Sequence, residues 1–181
     1  MIQSLDVTRE TDCRDEHGKY MALALREARK AARIGEAPVG AVIVKDGEVV
    51  GRGYNRIESG QDPTLHAEMI AIRRAAGRLG ARRLVGCTMY VTVEPCSMCA
   101  GAAVLARLDA VVAGALSDKS GACGSVKDIL ASDSLNHRVE YTAGVLGEEC
   151  AALMSGFFSE LRAGRSGGGP AGRDAESEED C

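Results

Sequence analysis

The chain has 181 residues, of which 45% are hydrophobic and 27% are charged, as in an ordinary globular protein. Its length is sufficient for one domain with its own core, and its net charge of −4 does not by itself indicate a nucleic-acid partner. No apolar run approaches the ~20 residues of a membrane span, and the N-terminus lacks a secretory signal. We therefore predict a cytoplasmic protein without a membrane segment.

Hydrophobic periodicity predicts that helices and strands alternate along the chain. In chain order we predict a helix at 15–34, strands at 39–44 and 48–54, a helix at 62–79, a strand at 88–93, a helix at 95–108, a strand at 110–116, a short helix within 121–130, a strand at 138–146 and a helix at 148–161. Asp46 and Gly47 favour a two-residue hairpin turn between the first two strands. Asp62 and Pro63 favour the start of the second helix. This alternation predicts a three-layer α/β/α fold, with a mixed five-stranded sheet covered by helices on both faces.

The two ends of the chain differ in composition from its middle. Residues 174–180 carry five acidic side chains and no basic one, and without them the net charge becomes +1. From residue 164 onward Gly, Ser and acidic residues dominate, and such a segment buries too little apolar surface to become ordered. We predict a flexible lead-in at 1–14, one folded domain at 15–163 and a disordered tail at 164–181. The near-neutral domain is compatible with RNA binding but does not demand it.

The seven cysteines are odd in number and scattered, which favours a reduced protein with a metal over a disulfide framework. Two of them, Cys96 and Cys99, are three residues apart and share one face of a predicted helix start, where the helix dipole favours thiolates. His66 lies at the start of the preceding predicted helix. Catalytic zinc sites have three protein ligands and one position for water, whereas structural sites have four ligands. We therefore predict one zinc ion per subunit, bound by His66, Cys96 and Cys99.

Glu68 is the candidate acid/base residue. Its offset of two from His66 places the two side chains on different helix faces, so Glu68 is not expected to be a fourth ligand. Zinc lowers the pKa of a water in its open position from about 15.7 towards neutrality. Glu68 can accept a proton from that water and return it to the substrate.

Two other interpretations of the C-x-x-C pair are a redox dithiol and half of a structural zinc knuckle. Neither interpretation accounts for His66 and Glu68 at the start of a helix, or for the proline that precedes Cys96. The sequence therefore favours a hydrolytic zinc site.

The H-x-E … P-C-x-x-C pattern is identified as the zinc-deaminase signature. With its flanking blocks, the chain resembles the bacterial tRNA-specific adenosine deaminases of the cytidine-deaminase-like fold from about residue 20 to 161. These blocks are Ala37-Pro38-Val39-Gly40-Ala41, Gly53-Tyr54-Asn55-Arg56, 62–68, 90–102, 136–140 and 149–153. The segment 15–163 is then the deaminase domain.

The resemblance implies an enzyme that converts adenosine to inosine at the wobble position of a tRNA anticodon, releasing ammonia, and that forms a homodimer. It implies zinc at His66, Cys96 and Cys99, with Glu68 as the proton shuttle. It also implies substrate contacts: a hydrogen bond from Asn55 to the purine, orientation of the base by the Ala67 backbone, and pocket positions at Val39 and Pro95. A base in a loop leaves its stack for such a pocket at lower cost than a paired base.

The chain departs from the family pattern after the strand predicted at 110–116. Family members carry an Asp two residues before the Lys of this loop, whereas this chain has Ser117, Asp118 and Lys119. We expect Ser117 or Asp118 to replace the RNA contact of that Asp, or RNA binding to be weaker.

Two other functions remain compatible with the zinc motif. One is deamination of a free base or nucleotide, such as guanine or cytosine. The other is an RNA-binding or scaffold protein that keeps the zinc without turnover, although the presence of Glu68 argues against it.

Overall fold

The structure is a computed structural model that describes the backbone of residues 4–166 and the side chains of residues 16–163. Its elements follow one another in the order α1 (Ser4–Arg33), β1 (Gly40–Lys45), β2 (Glu48–Tyr54), α2 (Ile57–Gly60), α3 (Ala67–Leu79), β3 (Cys87–Val93), α4 (Ser97–Leu105), β4 (Ala110–Ala115), β5 (Glu140–Thr142) and α5 (Gly147–Ser166). None of the helices in the described residues has the length and hydrophobicity that a membrane span requires.

The strands form one mixed sheet in the order β2-β1-β3-β4-β5. β1 is antiparallel to both β2 and β3, whereas β3, β4 and β5 are mutually parallel. The hairpin between β1 and β2 turns at Asp46 and Gly47, which both have positive φ, at 48° and 78°. This geometry is that of the two-residue hairpin turn expected for Asp-Gly.

Helices cover both faces of the sheet, because alternate strand residues point to opposite sides. Val42 and Val44 of β1 pack with α1 and with Cys150 of α5. Ala41 and Ile43 of the same strand pack with α3 and α4 on the other face. The predicted three-layer α/β/α fold with a mixed five-stranded sheet is therefore confirmed.

Gly53 lets α3 approach β2 closely at the end that leads to the site. A Cβ atom at this position would collide with the carbonyl oxygen of Ala67 and would lie 2.8 Å from the backbone nitrogen of Ala71. The first turn of α3 therefore rests directly on the backbone of the strand. This contact sets the position of the helix start.

The predicted start of the second helix at residue 62 is wrong, because residues 62–65 form a turn. Oδ1 of Asp62 accepts hydrogen bonds from the backbone N–H and the hydroxyl of Thr64, at 2.7 and 2.6 Å. The N–H of Leu65 donates to the carbonyl oxygen of Asp62 at 3.1 Å. Such Asx turns compete with helical hydrogen bonding. The helix begins only at Ala67.

Three further boundaries differ from the prediction. The segment 121–130 is a series of turns rather than a short helix, with a bridge between Cys123 and Asp128. β5 is short, and helix α1 begins at Ser4 rather than near residue 15. The predicted tail lies mostly outside the described residues, and the division into lead-in, domain and tail stays a prediction.

Candidate metal centre and active site

The three predicted metal ligands lie together at the starts of two helices. His66 is the N-cap residue of α3, Cys96 is the N-cap residue of α4, and Cys99 lies in the first turn of α4. Because β2 and β3 are both antiparallel to β1, they end at the same edge of the sheet, and the segments leading to α3 and α4 start there. One ligand atom from each residue lies within 4.8 Å of the other two.

The three side chains differ in the protonation state that they favour. Hydrogen bonds from Cys99 and His66 lower the pKa of Cys96 to about 3, despite its partial burial. The pKa of His66 is raised, chiefly by its hydrogen bond with Cys96, whose Sγ lies 3.8 Å from Nδ1 of His66. The pKa of Cys99 is raised by its hydrogen bond to Cys96 and by burial, so a metal must displace its proton. One imidazole nitrogen and two sulfur atoms form a donor set that fits zinc.

Glu68 lies beside this donor set, at the second position of α3, and its side chain is only 3% exposed. Its Oε2 is one of two buried side-chain atoms in the described residues that lack a hydrogen-bond partner. Burial raises the pKa of Glu68, while a hydrogen bond to its own backbone and the charge of His66 act in the opposite direction. An unpartnered buried carboxyl oxygen is costly. Its position next to the ligands suits a group that exchanges protons with bound water or substrate.

His66, Cys96 and Glu68 line a cavity of about 190 Å³. The complete lining is Ala37, Val39, Asn55, Ile57, His66, Glu68, Val93, Glu94, Cys96, Ser117 and Ser120. Pockets that bind drug-sized ligands measure roughly 300–1,000 Å³, so this smaller cavity suits a group of the size of a single base.

The structure brings together some of the predicted substrate-contact residues and leaves others outside the cavity. Val39, Asn55 and Ser117 line the cavity, whereas Asp118 is exposed and does not. Ala67 is fully buried in the core. Pro95 is buried, and its carbonyl oxygen accepts the N–H of Ala122 at 2.9 Å. For Ala67, Pro95 and Asp118, a substrate contact stays a prediction.

Glu94 is a cavity residue that the sequence analysis missed. It is 3% exposed, and its Oε1 accepts the backbone N–H groups of Cys123 and Ser125 at 2.9 and 3.2 Å. Its Oε2 accepts the N–H of Ser117 at 3.1 Å. Burial raises the pKa of Glu94, but a hydrogen bond from the Ser125 side chain and those from the three backbone N–H groups outweigh burial and lower it. Glu94 thus anchors the loop 117–125, which carries two of the cavity residues.

Glu36 was missed as well. This carboxylate is 1% exposed, and it accepts hydrogen bonds from the Asn55 amide and the Ser59 backbone on the opposite side of the cavity. For Glu36 and Glu94, the sequence feature that could have drawn attention was an acidic side chain next to an apolar strand. Ile57, Val93 and Ser120 carried no such signal.

Comparisons with known proteins agree with this geometry. The family model of the cytidine and deoxycytidylate deaminase zinc-binding region matches residues 14–115. The tRNA-specific adenosine deaminase of Bacillus subtilis (strain 168) is 48% identical over 143 residues, which cover 79% of this chain and 89% of that protein. The family match and the grouped ligands confirm the prediction of zinc as cofactor.

Solved structures share the same fold. A structure from a study of A-to-I editing by tRNA:A34 deaminases superposes with a TM-score of 0.72 and 41% identity, covering 75% of this chain and 98% of that one. A guanine deaminase from Nitrosomonas europaea has a TM-score of 0.66 at 23% identity, covering 78% and 84%, a similarity that concerns the fold alone. The chain belongs to the cytidine and deoxycytidylate deaminase zinc-binding family and, within it, to the tRNA-specific adenosine deaminases.

Proposed function

We propose that this protein is a zinc-dependent hydrolase that deaminates adenosine to inosine at the wobble position of a tRNA anticodon. The observation that carries the proposal is the grouping of the Glu68 carboxyl, whose Oε2 lacks a hydrogen-bond partner, with three ligand atoms that lie within 4.8 Å of one another. The similarity to tRNA-specific adenosine deaminases supports the choice of substrate.

His66, Cys96 and Cys99 would hold the zinc ion. When bound, zinc acts as a Lewis acid that makes a water molecule sufficiently acidic to supply the nucleophile near neutral pH. Glu68 accepts a proton from the attacking water and delivers it to the ring nitrogen of adenine. Glu68 then takes the second proton from the hydroxyl that has added to the carbon and gives it to the exocyclic amine, which leaves as ammonia while the carbon keeps the oxygen of water. The raised pKa of Glu68 suits a group that must both accept and donate.

The cavity selects a single base that has left its stack. Val39 supplies an apolar wall and Asn55 a hydrogen-bonding amide. We further propose that the Ala67 backbone and Pro95 orient the base, and that Ser117 or Asp118 contacts the RNA backbone. An anticodon-loop nucleotide enters such a cavity at lower cost than a paired one.

Basic side chains line two further clefts, one of which adjoins the active-site cavity, and they suit an RNA partner. Lys119 and Lys127 line a cleft of about 340 Å³ that shares Cys96 and Ser120 with the active-site cavity. Three arginines line another cleft of about 270 Å³ beside the start of α3, namely Arg56, Arg73 and Arg74. Such side chains bind phosphate groups and strengthen RNA binding at low salt.

The deaminase domain that we predict at 15–163 is proposed to act as a homodimer in the cytoplasm. Measurement of the molecular mass of the zinc-loaded protein in solution tests the dimer. A monomer at the concentrations used for activity would contradict this part of the proposal.

The function itself is tested by incubating the protein with an anticodon stem-loop that carries adenosine at the wobble position, and separately with free nucleosides and bases. Inosine in the RNA alone supports the proposal. Product from free guanine or cytosine alone would replace it with a small-molecule deaminase. Zinc binding and RNA retention without product would indicate a non-catalytic RNA-binding protein.

A further inference from the structure

Glu36 is a buried carboxylate without a part in the proposed proton transfers. It lies between α1 and β1, and its Oε1 accepts the backbone N–H of Ser59 at 2.7 Å. Its Oε2 accepts Nδ2 of Asn55 at 3.1 Å, in a hydrogen bond that is itself buried. No ion pair within the described residues includes Glu36, so hydrogen bonds rather than a cation hold it in place.

These hydrogen bonds keep Glu36 ionised. Burial raises the pKa of the Glu36 carboxyl, but hydrogen bonds from Ser59 and from the backbone of Glu58 and Ile57 outweigh burial and lower it. An ionised carboxylate has no proton to donate, so each of its partners must be a donor.

This requirement sets the orientation of the Asn55 side chain. The amide of Asn55 has a donor end, the NH₂ group, and an acceptor end, the carbonyl oxygen. Only the NH₂ end can face Glu36, because the opposite orientation would place the carbonyl oxygen against a carboxylate. The backbone of Asn55 is held separately, by donation of its N–H to the carbonyl oxygen of Val39 at 3.0 Å. Asn55 also lines the active-site cavity, so its carbonyl oxygen and the second N–H of its NH₂ group are the groups left for the substrate.

We propose that Glu36 is a positioning residue that holds the Asn55 amide in one of its two orientations, and thereby fixes which hydrogen-bonding groups of Asn55 face the bound nucleoside. The inference rests on the proposed function, since it assigns a specificity role within the same cavity. In the held orientation Glu36 takes one N–H, so the nucleoside meets the carbonyl oxygen and a single N–H. The flipped amide would instead turn the whole NH₂ group towards the cavity.

Glu36→Gln tests this role because it keeps the size of the side chain and removes its charge. The new amide offers both a donor and an acceptor, so either orientation of Asn55 becomes possible. We expect kcat/KM for the anticodon stem-loop to fall about ten-fold, which corresponds to about 1.4 kcal/mol and is the order of a hydrogen bond to a charged group.

A double-mutant cycle on the zinc-loaded full chain separates this role from a merely structural one. In an Asn55→Ala background, Glu36→Gln should change kcat/KM by less than about two-fold, because the group it orients is absent. An equal loss in both backgrounds would show that Glu36 acts through the Ser59 turn instead. No loss in the wild-type background would also overturn the proposal.

The matched control is Glu27→Gln. Glu27 is likewise a buried acid, but it lies within α1, pairs with Lys30 at 2.7 Å and does not line the cavity, so its variant should keep the wild-type kcat/KM. Zinc content and Tm are measured for every variant. Glu36→Asp retains the charge and should recover part of the activity, and it replaces Glu36→Gln in the cycle if the latter does not fold.

A measurement without turnover keeps the inference separate from the proposed function. In ¹⁵N-labelled protein, the side-chain NH₂ resonances of Asn55 are assigned by their loss in Asn55→Ala. We expect Glu36→Gln to shift them, whereas unchanged resonances would overturn the contact in solution. Absence of inosine with the wild-type protein would contradict the proposed function, and the resonances would still decide the role of Glu36.

Discussion

Replacement of Glu94 by Gln should loosen the loop 117–125 while leaving the rest of the fold intact. The wild-type carboxylate accepts three backbone N–H groups, two on Oε1 and one on Oε2. A Gln side chain keeps one acceptor oxygen, which can serve Cys123 and Ser125. The NH₂ group of Gln would then face the N–H of Ser117, so two donors would oppose each other in a partly buried position and one would lose its partner.

The expected cost follows from this count. A hydrogen bond to a charged group contributes about 1.5–3 kcal/mol, and an unsatisfied buried donor costs about 1–3 kcal/mol. We expect the free energy of opening this loop to fall by about 2–4 kcal/mol in Glu94→Gln. Because each 1.4 kcal/mol is a factor of ten, amide exchange in the loop should accelerate roughly 30-fold or more.

Hydrogen exchange of the zinc-loaded protein measures this change at single amides. The N–H groups of Ser117, Cys123 and Ser125 should exchange faster in Glu94→Gln and at wild-type rates in Glu27→Gln. KM for the stem-loop should rise in the first variant, because two cavity residues lie on the loop. Wild-type exchange rates at all three amides of Glu94→Gln would refute the reasoning that this carboxylate anchors the loop.

Three further predictions concern other parts of the molecule. Gly53→Ala should lower Tm and zinc affinity, because the new Cβ would collide with the carbonyl oxygen of Ala67. The control Gly101→Ala in α4, where space around the Cβ is open, should keep both values. Equal melting curves for the two variants would contradict the contact between Gly53 and α3. The pKa of Glu36 is lowered from its ordinary value of 4.5, so the unfolded chain takes up this proton first as the pH falls. The free energy of unfolding of the wild-type protein should therefore exceed that of Glu36→Gln by its full amount well above pH 4.5, and this difference should shrink at lower pH. Urea titrations measure the difference at each pH, and a constant difference would count against an ionised Glu36. Glu68→Ala should retain zinc, measured by elemental analysis, and lose inosine formation by at least ~100-fold; appreciable turnover would remove Glu68 from the proton transfers.

The metal ligands could be predicted from the sequence because their relation is largely local. Cys96 and Cys99 occupy one helix start, and His66 precedes Glu68 by two residues, so the chemistry of each segment follows from short spacings. The same holds for the turn at Asp46 and Gly47. The alternation of strands and helices was sufficient for the three layers, since each strand supplies apolar side chains to both faces.

The anchoring carboxylates could be identified only in the folded protein. Glu36 and its partner Asn55 are 19 residues apart, and Glu94 and Cys123 are 29 residues apart. No short-range pattern specifies such pairs, because the strand order β2-β1-β3-β4 brings their loops to one edge of the sheet. The start of α3 at Ala67 is a related case, because the Asp62 carboxylate accepts hydrogen bonds from Thr64 within a turn and does not cap a helix. The sequence by itself was sufficient to identify the candidate donor atoms and their chemistry. Only the tertiary structure decided which buried acids stabilise the cavity walls, because the N–H donors of a buried carboxylate come from the loops that the sheet places beside it.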